Sequence, residues 1–439
     1  MSSFLSIAFW LCGYLVLVLA PLFVLLLGPV PAGSGFWWDF SMALGFTAMA
    51  MMGVQFLLTA RFRRATAPFG IDIIYFFHRY LALLAITLII LHYLIIRISY
   101  PEALGVLNPL QAPWHMTTGR VALLIFAIII STSLWRKQLH IHYDEWRILH
   151  IGLAVSAFLL ALGHIEGVGY YIDAPIKHTL WTGYILFWFL LIVYVRLIKP
   201  WRIRRRPYRV SELRQDCNDC WTLVLEPEGH AAMRFKPGQF AWLTLRKSPF
   251  HIKEHPFSIS SSASCHDRVE FTIKELGDFT RSINTTMIGE VAYLDGPYGA
   301  FSVDRFPEAQ GFVFIAGGIG VAPIMSMLRT LADRHEQRPL LFIYANNSWG
   351  DVMFKQELQD LQDRLQLRIV HVLKNPSADW MCESGYITRT LLQKTLSTDS
   401  LKYEYFLCGP KVMSNVVQKA LHELQVPYSR IHFELFDMV

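Results

Sequence analysis

The amino-acid sequence predicts a multidomain protein: a six-helix transmembrane bundle, then an antiparallel β-barrel, then an α/β domain with a parallel sheet. Three observations predict this order. Hydrophobic residues, 53% of the 439-residue chain, are concentrated before residue 200. Short alternating strand patterns follow, and after Gly311 apolar strands alternate with amphipathic helices. The length also exceeds that of one ordinary domain.

Six apolar stretches are long enough to cross a bilayer as helices. Their predicted ranges are 4–27, 36–60, 71–98, 117–135, 145–164 and 178–198. The first stretch lacks a basic leader and a clear small-residue cleavage site, so we interpret it as a retained helix rather than a signal peptide. Six spans place both chain ends on one side of the membrane.

Basic residues are distributed unequally between the two sides of this bundle. The loops 30–35, 99–114 and 165–175 contain no Lys or Arg. Basic residues collect on the side of the chain termini: Arg61, Arg63, Arg64, Arg136, Lys137, Lys199, Arg202, Arg204, Arg205 and Arg206. The positive-inside rule therefore predicts cytoplasmic termini. We interpret the last basic run as a juxtamembrane stop signal with contacts to anionic lipid rather than as a nucleic-acid site.

Four histidines lie in two of these stretches with one recurring spacing. His78 and His92 are fourteen positions apart, as are His150 and His164. On a helix this step rises roughly 21 Å and keeps both side chains on one face. Because imidazole is an axial haem ligand, the repeat predicts two haem b groups. The topology pairs His78 with His150 near the cytoplasm and His92 with His164 near the outer face. A single buried histidine, by contrast, is more often a hydrogen-bonded packing residue.

Other polar residues of the bundle receive weaker assignments. Arg79 and Arg147 follow or precede an inner histidine and could pair with haem propionates or extend to the membrane interface. Four further histidines lie near predicted helix ends or in loops and are expected to be solvated or interfacial: His115, His140, His142 and His178.

The six cysteines are scattered and suggest no disulfide framework. Cys217 and Cys220 form a CxxC pair, but one such pair lacks two ligands of a structural zinc site or an iron–sulfur cluster. We interpret the pair as a turn at the start of a strand rather than as a redox pair.

Motifs after residue 207 resemble those of ferredoxin-reductase-like proteins. Four of them resemble the flavin barrel of that family: residues 236–240, 255–262, 274–280 and 295–301. Residues 314–329 and 406–413 resemble its nicotinamide-nucleotide domain. With the four histidines, the whole chain is similar to the NADPH oxidase and ferric reductase superfamily, in a compact prokaryotic form. The resemblance implies a haem-binding ferric reductase-like domain over 1–203, an FAD-binding barrel over 204–306 and an NAD(P)H-binding domain over 307–439.

The resemblance implies a flavin site made of two segments. The first lies along FAD, with its serine near flavin N5 and its histidine toward the diphosphate: His255, Pro256, Phe257, Ser258 and Ser260. The second opens a helix whose N–H groups meet the diphosphate: Gly277, Asp278, Phe279 and Thr280. Taken alone, the first segment is more typical of an edge strand that runs into a serine-rich loop.

The resemblance also implies a nucleotide site and a group of residues at the reacting rings. Phosphate would bind at a strand-to-helix turn: Gly317, Gly318, Gly320 and Pro323. Nicotinamide would lie near a second turn, without thiol chemistry: Cys408, Gly409 and Pro410. Phe436 would stack on the flavin until nicotinamide displaces it, although Phe433 is an alternative and both could be packing residues. Ser258, Cys408 and Phe436 would thus surround the reacting rings.

The predicted function is transmembrane electron transfer from cytosolic NADH or NADPH through FAD and two haems. The acceptor is dioxygen or a ferric chelate, and a periplasmic protein partner is a third option. A non-catalytic haem-binding membrane sensor is the alternative from another class, and intact nucleotide motifs disfavour it. Residues 344–351 supply Ser348 but no Arg or Lys for the 2′-phosphate of NADPH, so NADH is expected to serve as well.

Overall fold

The computed structural model describes residues 3–27, 35–62, 71–251 and 253–434. The chain divides into two compact units, residues 1–200 and 201–439. The first unit is helical, and the second contains two six-stranded sheets. The predicted fold class is confirmed, while the predicted domain boundaries at residues 203 and 306 stay predictions.

The first unit has six helices that are long and apolar enough to cross a membrane, counted over the described residues. In chain order they are α1 (Ser3–Leu26), α2 (Phe36–Thr59), α3 (Ile71–Ser99), α4 (Trp114–Leu134), α5 (Tyr143–Val168) and α6 (Pro175–Val193). Helix α6 continues through a π-helical segment, Tyr194–Ile198, into the short helix α7, Lys199–Arg204.

Several helices extend beyond their predicted ends, and the residues at those ends explain why. Helix α4 follows Pro113 at its N-cap, and α6 begins with Pro175, whose fixed φ suits a first turn. Helix α5 runs four residues past His164 and ends where Gly169 adopts a left-handed conformation with φ of 65°. The hydropathy of the sequence falls at Glu166, whereas the helix continues to Val168.

Helix α2 forms the centre of the bundle. Half of its apolar window is buried, against 11% for α3 and 17% for α5. It packs along α3, while α4 packs along α5. The fully buried indole of Trp188 on α6 lies against Gly53 of α2, where an added Cβ would be 2.7 Å from Trp188 Cε2. This close approach fixes α6 against α2.

The second unit begins with an antiparallel barrel. Its strands are β1 (Tyr208–Cys217), β2 (Cys220–Pro227), β3 (Phe240–Leu245), β4 (His255–Ser258), β5 (Val269–Lys274) and β6 (Val291–Tyr298), in the order β4-β3-β6-β1-β2-β5. An antiparallel bridge between Ile259 and Phe271 joins the two edge strands and closes the barrel. The four-residue helix α8, Asp278–Arg281, lies between β5 and β6.

A parallel sheet follows, with helices on both faces. Its strands are β7 (Phe312–Gly317), β8 (Leu340–Asn346), β9 (Leu367–Leu373), β10 (Glu383–Ser384), β11 (Glu404–Cys408) and β12 (Ile431–Glu434), in the order β10-β9-β8-β7-β11-β12. Its helices are α9 (Val321–Asp333), α10 (Lys355–Arg364), α11 (Arg389–Thr395) and α12 (Lys411–Glu423). The strand order reverses between β7 and β11, and crevices at such switch points bind ligands.

Helix α9 ties this domain to the barrel. The Arg329 guanidinium, 13% exposed, donates to both carboxylate oxygens of Glu357 at 2.6 and 2.7 Å. It also donates to Glu270 Oε2 at 3.0 Å and to the Ser260 carbonyl at 2.7 Å, both in the barrel. Ser326 Oγ donates to the Ser261 carbonyl at 2.8 Å. The barrel and the parallel sheet therefore share buried polar contacts as well as an apolar core.

Candidate active site

The inner histidines face each other across the bundle. The rings of His78 on α3 and His150 on α5 have centroids 6.2 Å apart. His150 Nδ1 lies 3.3 Å from Ser133 Oγ, and the Trp146 ring lies 4.9 Å from the His150 ring. His78 Nδ1 is buried and makes no hydrogen bond to the described part of the chain. Two imidazoles from different helices thus lie close together.

The outer histidines are each held by a backbone carbonyl. His92 Nδ1 lies 2.8 Å from the Ser41 carbonyl oxygen, and His164 Nδ1 lies 2.8 Å from the His115 carbonyl oxygen. A carbonyl oxygen only accepts, so Nδ1 carries the proton in both rings. The Nε2 lone pair is then available to a metal, as in most metal-binding histidines.

The outer histidines line the same cavity, which has a volume of about 340 Å³. Its lining is mostly apolar. Helices α2 and α4 contribute Met, Phe and Gly residues to it: Met42, Gly45, Met49, Met52, Met116, Gly119 and Phe126. Arg120 supplies the only guanidinium or ammonium group among the described lining residues. It donates to the carbonyls of Leu104 and Val106, which hold it at the cavity wall.

Two glycines let the helices approach the outer histidines closely. A Cβ at Gly119 of α4 would lie 2.8 Å from His164 Nδ1, and one at Gly45 of α2 would lie 3.4 Å from His92 Nδ1. Real Cβ atoms do not approach to 2.8 Å, so Gly119 is sterically required by the position of the His164 ring.

The donor sets fit haem iron. A metal ion between two imidazole nitrogens, with bonds of about 2 Å, places the ring centres roughly 6 Å apart. The inner pair has this spacing. The outer pair has its tautomers fixed with Nε2 unprotonated, and it lines an apolar cavity. All four predicted histidines could therefore serve as axial ligands, and this role stays a prediction.

The first predicted flavin segment forms strand β4 and the bridge that closes the barrel. The His255 ring stacks on the Phe279 ring with centroids 3.9 Å apart, so the two flavin motifs meet. Ser258 and Ser260 are buried. Ser260 Oγ accepts a hydrogen bond from Thr272 at 2.9 Å, so this side chain has a structural partner in the barrel.

The second predicted flavin segment is a tight turn. The N–H groups of Leu276 and Gly277 donate to Thr280 Oγ1 at 2.9 and 2.8 Å. Helix α8 then covers only residues 278–281. The expected helix is thus a single turn, which gives a smaller array of N–H groups than a full helix would.

The two glycine turns of the nucleotide domain lie side by side at the switch point. A Cβ at Gly320 would be 2.2 Å from the Cys408 carbonyl oxygen, and one at Gly409 would be 3.0 Å from Gly317 N. Gly318 has a φ of 54°, which glycine adopts without strain. The main chains after β7 and β11 therefore touch, and only glycine allows this approach.

The structure describes some, but not all, of the residues expected at the reacting rings. Cys408 is fully buried, and burial together with the Glu434 carboxylate raises the pKa of its thiol well above the ordinary value. Burial therefore keeps this thiol protonated. Phe433 is 46% exposed on β12, whose residue Glu434 pairs with Cys408. Phe436 lies outside the described residues.

Several residues that contribute to these sites could not be predicted from the sequence. His115 was expected at the interface, but it lines the cavity and orients His164 through its carbonyl. Arg196, in the π-helical segment, is close enough to interact electrostatically with His150. Such contacts join residues far apart in sequence, and only the glycine content of α2 and α4 could have indicated close packing there.

Comparisons with protein families agree with this organisation. Residues 44–162 match the family described as "Ferric reductase like transmembrane component". Residues 219–302 match "FAD-binding domain", and residues 314–419 match "Oxidoreductase NAD-binding domain". The chain thus has the domain order of a ferric reductase and NADPH oxidase-like fusion. The matches support a membrane oxidoreductase that binds FAD and NAD(P)H.

Individual relatives cover about half of this chain. The glycine betaine monooxygenase reductase subunit of Pseudomonas aeruginosa is 27% identical over 244 residues, 54% of this chain and 66% of that protein. The reductase component of propane 2-monooxygenase from Mycolicibacterium goodii is 29% identical over 227 residues, 50% of this chain and 64% of that protein. The chain therefore spans less than two-thirds of the length of these curated relatives.

A similar solved structure is the flavohem-like FAD/NAD binding domain of nitric oxide dioxygenase from Vibrio cholerae. It is 25% identical and has a TM-score of 0.47. The match covers 53% of this chain and 98% of that one.

Proposed function

We propose that this chain is a transmembrane NAD(P)H oxidase or ferric reductase. Electrons would pass from NADH or NADPH through FAD and two haem b groups to dioxygen or a ferric chelate across the membrane. When bound, FAD exchanges a hydride for single electrons and haem iron carries one electron at a time. The proposal rests on the facing rings of His78 and His150 and on His92 and His164 at one cavity. These histidines lie in a ferric reductase-like bundle that is fused to a flavin and nucleotide module.

Four histidines are the proposed haem ligands. His78 and His150 would hold the inner haem, since their ring spacing suits one iron. His92 and His164 would hold the outer haem, with the carbonyls of Ser41 and His115 fixing their tautomers. Such partners also raise the basicity of the ligand nitrogen.

Cationic side chains are proposed partners of the haem propionates. Arg120 lines the outer cavity, and Arg196 interacts electrostatically with His150 of the inner pair. Arg79 and Arg147 remain candidates at the inner site, where a guanidinium could bind a carboxylate through charge-assisted hydrogen bonds.

The reductase unit is the proposed site of hydride transfer. His255 to Ser258 and Gly277 to Thr280 would hold FAD, and the stacked rings of His255 and Phe279 connect these segments. The two turns that meet at Gly320 and Cys408 would hold the nucleotide diphosphate and the nicotinamide. The buried protonated thiol of Cys408 would contribute shape rather than charge.

The proposed orientation places both termini in the cytoplasm of a bacterium. Two basic side chains on the opposite side of the bundle are bound to backbone carbonyls. Lys177 is fully buried and its Nζ donates to the Leu25 carbonyl at 2.8 Å, at the end of α1. Arg120 is bound in the same way. Local backbone groups therefore hold these two cations in place, and the exposed basic residues still favour the side of the termini.

Steady-state assays of the purified chain in detergent test the proposal and identify the acceptor. NADH or NADPH oxidation is measured with FAD, with and without oxygen, ferric chelate and superoxide dismutase. An oxidase would reduce cytochrome c in a dismutase-sensitive way. A reductase would reduce the ferric chelate without oxygen. A haem- and FAD-loaded sample that oxidises neither nucleotide with any acceptor would refute the enzyme function.

A further inference from the structure

Three ligand atoms meet at the hairpin turn between β1 and β2. Cys217 and Cys220 are directly opposed across the two strands, with Asn218 and Asp219 as the two turn residues. Cys217 Sγ and Cys220 Sγ each lie 3.4 Å from the same carboxylate oxygen, Asp219 Oδ1. The three ligand atoms all lie within 4.8 Å of one another. The sequence motif showed two candidate ligands, and the fold adds a third.

We propose that this turn binds a thiophilic divalent cation, for which Zn²⁺ is the probe, through Cys217, Asp219 and Cys220. In a tetrahedral site with Zn–S bonds of about 2.3 Å and Zn–O bonds of about 2.0 Å, sulfur and oxygen are about 3.5 Å apart. The two observed sulfur–oxygen distances of 3.4 Å are close to this value. The chelate is therefore largely formed before a cation binds.

Charge and burial also suit a cation at this position. Lys274 Nζ lies 3.2 Å from Asp219 Oδ2, so the carboxylate is oriented with its other oxygen toward the thiols. Binding would release both thiol protons, and two thiolates with one carboxylate would then be balanced by the cation and Lys274. Cys220 is 1% exposed, whereas Asp219 is partly exposed and leaves a path for the cation. Water would take the fourth position, as in zinc sites with three protein ligands.

The turn also supports the neighbouring strand. Glu275 N donates to the Asp219 carbonyl at 2.8 Å, and Trp221 Nε1 donates to Glu275 Oε1 at 2.8 Å. A bound cation would hold the turn and, through these contacts, the segment just before Gly277.

Zinc binding to the full chain tests the site. Reduced protein in detergent is dialysed against buffered micromolar Zn²⁺ with a non-thiol reductant, and bound zinc is measured by elemental analysis. The wild type should bind one zinc per chain more than Cys217→Ser, and Asp219→Asn should bind at least about tenfold more weakly. Cys265→Ser is the matched control, because Cys265 also bonds to an aspartate, Asp267, and should leave the stoichiometry unchanged.

A second measurement on the wild type does not depend on the folding of any variant. Zinc should slow alkylation of Cys217 by iodoacetamide at least tenfold and leave Cys265 unaffected. Equal zinc content in the wild type and Cys217→Ser would overturn the proposal, as would unprotected Cys217. Intact mass after treatment with the reductant checks for a disulfide. A mass two hydrogens below that of the fully reduced chain, with the loss mapped to Cys217 and Cys220, would show a disulfide between them and would also overturn the proposal.

Discussion

A single methyl group at position 119 should remove the outer haem. In Gly119→Ala the new Cβ would lie 2.8 Å from His164 Nδ1 and 2.9 Å from its Cγ. Carbon contacts are optimal near 3.5 Å or beyond, so the ring must move by roughly 0.7 Å. Metal–ligand distances tolerate only about 0.2 Å. His164 cannot move freely, because its Nδ1 is bound to the His115 carbonyl.

The expected result is a fall from two haems to one per chain, measured by pyridine haemochrome assay on purified protein. Flavin reduction by NADH should persist, while acceptor reduction should fall at least about tenfold, since a misplacement of this size disrupts positioning. Helix propensity favours the change by about 1 kcal/mol, so unfolding is not the expected cause of a loss. Gly152→Ala on α5 is the control, because no atom lies within 4 Å of its added Cβ. Two haems with an unchanged spectrum in Gly119→Ala would refute the reasoning.

Three further predictions concern the reductase unit. Arg329→Met should destabilise it by about 3 kcal/mol, because Glu270 loses its buried cation and keeps only Arg268, whose side chain is 48% exposed. Arg364→Ala, which removes an exposed ion pair, should cost under about 1 kcal/mol. Chemical denaturation followed by flavin fluorescence measures both, and equal losses would contradict the prediction. Gly320→Ala should slow flavin reduction by nucleotide at least about tenfold, because its Cβ meets the Cys408 carbonyl. Gly350→Ala is the control, and a stopped-flow rate for Gly320→Ala within twofold of the rate for this control would contradict the prediction. The Asp351 carboxylate accepts hydrogen bonds from Ser348 N and Ser348 Oγ and should repel a 2′-phosphate. Asp351→Asn should therefore raise kcat/KM for NADPH relative to NADH by about tenfold. An unchanged ratio would exclude this role of Asp351.

The sequence predicted the order of elements well because each signal is local. Apolar stretches of bilayer length predicted the six helices, and Pro and Gly between short alternating patterns predicted the barrel strands. Helix ends were less predictable, because α5 continues through Glu166 to the left-handed Gly169. Such an end depends on backbone geometry rather than on hydropathy.

The site was predictable only where spacing along the chain determines proximity in space. The fourteen-residue step placed His78 and His92 on one helix face, and the structure brings His78 to His150. Spacing could not show that Ser41 and His115 supply the carbonyls for the outer histidines. The CxxC pair was predicted as a turn, and it is one, but its convergence on Asp219 depends on side-chain direction.

The haem content of the wild-type chain is the most direct test of the proposed electron path. Haem is quantified against polypeptide by amino-acid analysis, and reduced-minus-oxidised spectra report whether the iron is of the b type. Ligation by His78 with His150 and by His92 with His164 predicts two b-type haems per chain, both reduced by NADH or NADPH under anaerobic conditions. A ratio of one haem per chain in fully loaded protein would contradict the four-histidine arrangement.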